Sequence, residues 1–385
     1  LLALLCLSCG TGPDDEAGTR PSGYRVLFLG DTSLGENYQA RIAEQGGKNV
    51  LNERGYAYSL ERLSPLLHTA DQVIANLETP VTNLPISPFA GQKHYLHRAD
   101  IVKTPETLRL HNIRFVSLAN NHTLDYGLDG LEQTLAALQT QAIRWFGACN
   151  DAESAAAPLR TNIGPGSKSH ALVVTAGFEY RTKYATEYAF YANGKTGGVN
   201  AWTPERATVQ LAELRRSAPD ALIVAYPHFG KNYAWKTDWQ IRLAHALIDG
   251  GADLVIGHGA HVFQEIEQYR ERWIIYNLGN FVFNSPGRYG KEDIHPYSLV
   301  AGLDMAENGG EVTFALRLYP ILSNNLVTKF QPRLVNRLQF SEVRSLLLEH
   351  SEPETPLQER LLTGKDRHGY YLVLDVTPAS TGQPP

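Results

Sequence analysis

Ala252-Asp253-Leu254-Val255-Ile256-Gly257-His258-Gly259-Ala260-His261 carries both the architecture and the chemistry of this chain in ten residues. Its first half is an apolar run of strand length. Its second half is a glycine-containing turn that carries two imidazoles three residues apart. Glycine lets a backbone turn sharply at a strand end, so both rings can point into one small volume. Neutral imidazole is the commonest biological metal ligand. An isolated pair of this kind reads as readily as two solvated turn residues. What changes the reading is that the arrangement recurs.

Outward from that stretch, Tyr24-Arg25-Val26-Leu27-Phe28-Leu29 runs into Gly30-Asp31, and Asp71-Gln72-Val73-Ile74-Ala75 into Asn76-Leu77-Glu78. The run from Ile113 to Ala119 leads to Asn120-Asn121-His122, and Ala221-Leu222-Ile223-Val224-Ala225 to Tyr226-Pro227-His228. Trp273-Ile274-Ile275-Tyr276 leads to Asn277-Leu278-Gly279-Asn280. Helical periods lie between several of these runs. Leu131, Leu135, Leu138 and Ala142 share one face between Leu128 and Ala142. Thr203-Pro204-Glu205 opens a second helix through Val209, Leu211 and Leu214, with a threonine cap and a proline at the first position. Asp238 is expected to cap a third, carrying Ile241, Leu243, Ala244, Leu247 and Ile248 and stopping at Gly250-Gly251.

Near-continuous apolar strands alternating with helices predict an α/β fold on a mainly parallel sheet covered on both faces. In such sheets ligands sit beyond the carboxyl ends of the strands. That rule places Asp31, Glu78, Asn121, His122, His228, His258 and His261 along one edge. Mixed nitrogen and oxygen donors without a thiolate suit Mn, Fe or Zn. The set is large enough for one divalent ion or for two, and a pair roughly 3.5–4 Å apart can hold a bridging hydroxide. A histidine outside the ligand set is then free to protonate a leaving group.

The chain resembles the CapA-type poly-γ-glutamate capsule biosynthesis proteins of the calcineurin-like metallophosphoesterase superfamily. The resemblance rests on Leu29-Gly30-Asp31, Ala75-Asn76-Leu77-Glu78, Ser117-Leu118-Ala119-Asn120-Asn121-His122 with Asp125-Tyr126-Gly127, Pro227-His228-Phe229-Gly230, Gly257 to Gln264, and Tyr276 to Phe283. It implies a calcineurin-like metallophosphatase fold, a layered β-sheet sandwich flanked by helices, over residues 24–335. Residues 336–376 would be a C-terminal extension packed on that domain, and 377–385 a disordered tail. It also implies roles. Asp31 resembles the first-strand aspartate that binds one ion, and Glu78 falls where a bridging carboxylate is expected. Asn121 resembles a ligand asparagine and His122 the general acid beside it. His228 resembles a lone ligand histidine, and His258 and His261 a closing pair with one on each ion.

Two departures stand out. Thr32 and Ser33 follow Asp31 where phosphoesterases carry a histidine, and Asn76-Leu77-Glu78 replaces an Asp-based second motif. Within the capsule family, Phe229 stands for a common tryptophan and Gly259-Ala260 for a common His-Pro. The function implied is a metal-dependent hydrolase, acting through a metal-bound hydroxide on a phosphoester or a γ-glutamyl amide in capsule synthesis or export. The alternatives are a non-catalytic scaffold or polymer-binding subunit of a capsule synthase complex, and a general phosphodiesterase or phosphatase. The partners implied are an anionic polymer such as poly-γ-glutamate and the membrane subunits of a capsule synthase.

Around the site, Lys93, Arg98 and Lys231 are the candidates for holding a substrate carboxylate or phosphate, against the alternative of solvated loops. Lys236, Tyr233 and Trp235 share the loop after His228. His68, His111 and His245 lie in helical patterns and read as structural, and His170 and His295 have no partner that the sequence identifies. Asn280 is expected to approach the site through its backbone.

The chain has 385 residues and a net charge of −5, and no basic stripe points to nucleic acid. No internal run approaches the ~18–20 apolar residues of a membrane span. Leu1 to Gly10 reads as the end of a signal peptide, and Leu7-Ser8-Cys9-Gly10 resembles a lipoprotein cleavage site. The expectation is anchoring at the bacterial cell surface or periplasm through a lipid on Cys9, with residues 1–23 as signal remnant and tether. Cys149 would remain as the sole cysteine of the folded part, so no internal disulfide is expected. Asp304 to Gly310 reads as a turn, Ser341 to Glu349 and Thr355 to Leu362 as helices, and Tyr370 to Val376 as a last strand.

Overall fold

The apolar runs form the strands of two large sheets, not one, in a computed structural model that describes residues 23–164, 169–308, 311–351 and 357–378. In the first sheet Tyr24–Ser33, Gln72–Leu77, Phe115–Ser117 and Arg144–Phe146 run parallel in that order. On the other side of Tyr24–Ser33 the sheet continues antiparallel through Tyr297–Asn308, Glu311–Leu322, Tyr370–Asp375 and Leu362–Lys365. In the second sheet Leu222–His228 is central. Leu254–Ile256 and Arg272–Ile275 lie parallel on one side and His170–Glu179 on the other.

The sheets pack face to face. Val26, Phe28, Ile74, Leu299, Ala301 and Leu303 of the first share a buried cluster with Leu172, Val174, Leu222, Val224, Tyr226 and Ile256 of the second. The outer face of the first sheet packs on helices through Leu27, Leu29, Val73 and Ala75 against Leu108, Leu131 and Leu138. The outer face of the second packs on the helices Pro204–Ser217 and Asp238–Asp249 through Ile223, Ala225 and Val255 against Leu211, Leu243 and Leu247. The fold is therefore α/β, a layered sheet sandwich flanked by helices. A strand between a helix layer and a second sheet is apolar on both faces, just like a strand between two helix layers. The pattern therefore reads as one covered sheet where two are present.

Several boundaries move for identifiable reasons. Thr237, not Asp238, caps the third helix: its Oγ1 accepts from Gln240 N and the Gln240 side chain accepts from Thr237 N. Asp304 is not in a turn. It lies in Tyr297–Asn308, opposite Ala315, where Arg25 (2.5 Å) and Arg317 (2.8 Å) neutralise it. Residues 309 and 310 lie outside the described residues. Ser341 to Glu349 lies within the helix Arg337–His350; of the helix expected from Thr355, residues 355 and 356 lie outside the described residues, Leu357–Arg360 is helical, and Leu362 begins a strand. Tyr370–Asp375 pairs with Glu311–Leu322, so the end of the chain extends the first sheet. Cys9 and the 1–23 tether, apart from Gly23, and residues 379–385 lie outside the described residues. Among the described residues no helix is long and apolar enough to cross a membrane, and Cys149 is a free cysteine.

Tyr24–Ser33 runs past Asp31 because its last residues pair in parallel with Asn280–Phe283. Asp31 N donates to Gly279 O at 2.9 Å. A Cβ on Gly30 would lie 1.7 Å from that same oxygen. Gly30→Ala is thus expected to separate the two strands and cost about 3 kcal/mol or more, the upper range of overpacking. A thermal melt against wild type checks this.

Candidate metal centre

The strand ends of the two sheets abut at one edge, and main-chain bonds fix them there. Glu78 N donates to Thr32 O (2.9 Å), His258 N to Pro227 O (3.0 Å) and Phe229 N to His258 O (2.9 Å). His228 and His258 form an isolated parallel bridge. Asp31, Glu78 and His258 are fully buried, and His122, His228 and His261 nearly so. His261 itself is held at φ 65, in the left-handed region, beside Gly259 at φ 111. A non-glycine residue there is locally strained, and such strain concentrates at ligand-holding turns.

Two buried groups have ligating atoms that all lie within 4.8 Å of one another: Asp31, His228 and His258, and Asp31, Glu78 and His261. Asp31 is the member common to both, the position the resemblance gave to Glu78. Its Oδ1 accepts from Asn76 Nδ2 (2.9 Å) and its Oδ2 from Gly259 N (3.2 Å). His261 Nδ1 is 3.2 Å from Asp31 Oδ2, and His258 Nδ1 is 3.7 Å from Oδ1.

Glu78 Oε1 and Oε2, Asn121 Oδ1 and His258 Nε2 are buried without a hydrogen-bond partner. The two Glu78 oxygens and Asn121 Oδ1 are acceptors with no donor, and orphaned buried polar atoms are rare and costly. The electrostatics agree. Burial, with the Asp31 charge beside it, pushes the Glu78 carboxyl well above the usual carboxylate range. Burial also pulls His228 and His122 well below the usual imidazole value and His258 down to about 4. Neutral imidazoles and two carboxylates are the donor set of a divalent cation of the Mn, Fe or Zn type. These buried groups are positioned for metal binding.

His122 belongs to neither group. Its Nδ1 is 2.6 Å from Asp125 Oδ2, and its Nε2 faces Glu78 Oε1 at 3.9 Å. An Nδ1–H donated to Asp125 fixes the tautomer and leaves Nε2 toward the site. The ring stacks on His97 at 3.5 Å between centroids. Asp125 also accepts from His97 N (2.6 Å) and from the Lys93 ammonium.

Lys93 is accordingly not a solvated loop lysine. It is buried, its Nζ donates to Asp125 and to Asn121 O (2.6 Å), and it lies over the rings of Phe190 and Tyr184. A carboxylate buried as deeply as Asp125 requires a cation beside it, and Lys93 is that cation. Arg98 is exposed and donates to Leu84 O (3.1 Å). Lys231 is exposed on the rim of a groove that also includes Gly230 and Arg288.

Asn280 differs from expectation. Its side chain, not only its backbone, reaches the site: Oδ1 is 2.9 Å from His261 Nδ1, and Nδ2 donates to Tyr289 Oη (3.1 Å). Asn280→Ala is expected to lower metal affinity about 10–100-fold, as loss of a partner that orients a ligand histidine does. Metal titration of the apoprotein measures it. Thr32 and Ser33, where a further histidine was absent, serve the backbone: Thr32 Oγ1 donates to Gly30 O, and Ser33 Oγ accepts from Gly35 N. The other five histidines weighed from the sequence have local partners away from the centre. His245 pairs with Glu267 (2.7 Å), His68 and His111 with Ser64, His295 with Phe263 O, and His170 meets Phe314 edge-on.

Asn76, His97, Asn120 and Asp125 were given no role from the sequence, although Asn76, Asn120 and Asp125 lie in the segments that carry the resemblance. Asn76 lies two residues before Glu78 on the same strand, and Asn120 Nδ2 donates to Asn76 Oδ1 (3.0 Å). Asp125, three residues after His122, was visible as a spacing that places two side chains on one turn.

The profile of the bacterial capsule synthesis protein family, PGA_cap, matches residues 25–285. The chain is 29% identical over 264 residues to the PGA biosynthesis protein CapA of Bacillus subtilis, covering 67% of this chain and 62% of that one. It is 28% identical over 262 residues to the capsule biosynthesis protein CapA of Bacillus anthracis, covering 67% and 59%. These matches thus span less than two thirds of the length of either Bacillus relative. A probable polyglutamine synthesis accessory protein of Mycobacterium tuberculosis is 28% identical over 334 residues, covering 78% of this chain and 85% of that one. A solved phosphatase of Mycoplasma pneumoniae aligns with a TM-score of 0.36 at 13% identity, covering 81% of this chain and 92% of that one.

Proposed function

This chain belongs to the bacterial capsule synthesis protein family, and from that premise we propose that it is a metal-dependent hydrolase acting at the cell surface on an anionic capsule polymer such as poly-γ-glutamate. The observation that carries the proposal is the convergence of Glu78, His228, His258 and His261 on Asp31, with both Glu78 carboxylate oxygens buried and unpartnered. Asp31, Glu78, Asn121, His228, His258 and His261 would hold one or two ions of Mn, Fe or Zn. Such an ion supplies Lewis acidity and a water activated for attack.

The chain's own residues do the rest. His122 presents Nε2 toward Glu78 and would accept a proton there from the attacking water and pass it to the departing amine or alkoxide, a role worth about 10²–10⁴-fold in rate. Asp125 holds the ring in the tautomer that this requires. Lys93 donates to Asp125, opposing the upward pull of burial on its carboxyl, and ties it to the Asn121 main chain. Anchoring through a lipid on Cys9 and docking on synthase membrane subunits belong to the same proposal.

A second reading, a non-catalytic polymer-binding subunit, draws on Thr32 and Ser33 standing where a further ligand would complete one ion. A panel of γ-glutamyl peptides and phosphoesters, assayed with Mn, Fe and Zn, separates the readings. Metal-dependent cleavage of the γ-glutamyl amide, lost on chelation and in Asp31→Asn, is the expected result. Cleavage of phosphoesters alone would make the protein a phosphodiesterase. Full metal occupancy with no turnover of any compound would leave the binding subunit.

A further inference from the structure

Beside the metal centre lies a groove of about 610 Å³ whose walls include Arg181, Gly230, Lys231, Trp239, Arg288 and Glu292. That volume is within the range of ligand sites. The groove adjoins the centre through the loop after His228. Tyr233 in that loop donates its N–H to Ala260 O at 2.7 Å, and its ring lies 5.3 Å from that of His261. The Arg288 guanidinium lies 5.1 Å from the same Tyr233 ring.

The charges in the groove are not equivalent. Arg181 is spent: it is bound by Glu179 and donates to Gly230 O (2.9 Å), so it braces the loop. Arg288 has only an exchangeable partner, Glu292 at 3.5 Å on side chains about one-third exposed. Such a contact contributes little and is readily traded for a ligand. Lys231 is exposed and has no ion-pair partner among the described residues. The Trp239 indole supplies an apolar wall on the same groove. One free ammonium, one loosely held guanidinium and one aromatic face form a surface for a flexible chain that alternates oxyanions with methylenes.

We propose that this groove is a subsite for a carboxylate flanking the reacting bond of an extended acidic polymer. Lys231 and Arg288 hold the carboxylate, and Trp239 packs on the methylenes between charges. This assignment rests on the reading of the neighbouring centre as a site that acts on such a polymer, and it adds which residues select the polymer's charge.

The test is calorimetric binding of a defined γ-linked glutamate pentamer to the full, metal-loaded chain. Lys231→Gln and Arg288→Gln are each expected to weaken binding about fivefold, the upper end for an exposed ion pair. Together they give about 25-fold if additive, with metal content unchanged. The same γ-linked pentamer with its α-carboxyl groups amidated (γ-linked isoglutamine), equally long and without the side carboxylates, should bind wild type no better than the glutamate pentamer binds the double variant. The assignment is overturned by a double variant that binds within about twofold of wild type, a difference inside normal non-additivity. It is also overturned if wild type does not bind the pentamer, or if tripolyphosphate binds more tightly and depends equally on both cations. The readout is binding, so wild type that binds but never cleaves the pentamer sinks the hydrolase reading and leaves the subsite standing.

Discussion

Glu78→Gln is expected to abolish tight metal binding and, at the same time, to make the metal-free protein more stable at neutral and alkaline pH. Both effects have one cause. Glu78 is fully buried, both its carboxylate oxygens are unpartnered, and burial together with the nearby Asp31 charge raises its folded-state value well above 4.5. A carboxyl raised on folding contributes full stability below its unfolded value and loses it as pH rises toward the folded one. The metal-free wild type should therefore lose up to about 1.4 kcal/mol of stability per pH unit from this group once pH exceeds about 4.5. A glutamine does not titrate, so the variant lacks that slope. A cation reverses the ranking, because it replaces the proton and binds the ionised form. Wild type at 100 times the metal's Kd should gain about 2.7 kcal/mol, and the variant should not respond. Chemical denaturation from pH 5 to 9, with and without Mn or Zn, measures both. Equal pH slopes in the two proteins would show that Glu78 carries no such burden.

Asp125→Asn is expected to lower kcat about 10²–10⁴-fold while metal content stays near that of wild type, because an amide no longer enforces the His122 tautomer. It should also destabilise the fold by about 3–5 kcal/mol, because it leaves the Lys93 ammonium buried without its counter-charge. These two losses are separable. Adding Lys93→Met removes the orphaned charge, and replacing both partners of a buried pair is often neutral. The double variant should regain most of the stability and none of the turnover. If stability and turnover return together, Asp125 acts by holding the fold and not by orienting His122.

What the sequence revealed and concealed follows from which interactions are local. The strand-to-loop transitions at Asp31, Glu78, His228 and His258 were legible because an apolar run and the polar residues that end it are adjacent in the chain. The division into two sheets was not legible. Val26 and Val224 pack across the sheet interface, but their apolar character is the same as that of residues facing helices. The pairing of Asp31 with Asn280 joins residues far apart in the chain, so neither the extension of the first strand nor the Asn280 side chain on His261 was visible. Lys93 misled for a related reason. It sits in a run of polar and charged residues, and only the fold shows that Asp125 waits behind it. The shared position of Asp31 in both ligand groups is a matter of distances, which spacing along a chain does not encode.

Metal analysis of the purified full chain decides whether the buried cluster around Asp31 is a cation site. Wild type and Asp31→Asn are each incubated with Mn, Fe and Zn, desalted and measured by mass spectrometry of the metal. Because Asp31 belongs to both ligand groups, wild type should retain at least one equivalent and Asp31→Asn should lose it. Lys231→Gln, outside both groups, should match wild type. Substoichiometric metal in wild type, or equal metal in wild type and Asp31→Asn, would show that the cluster is not a cation site.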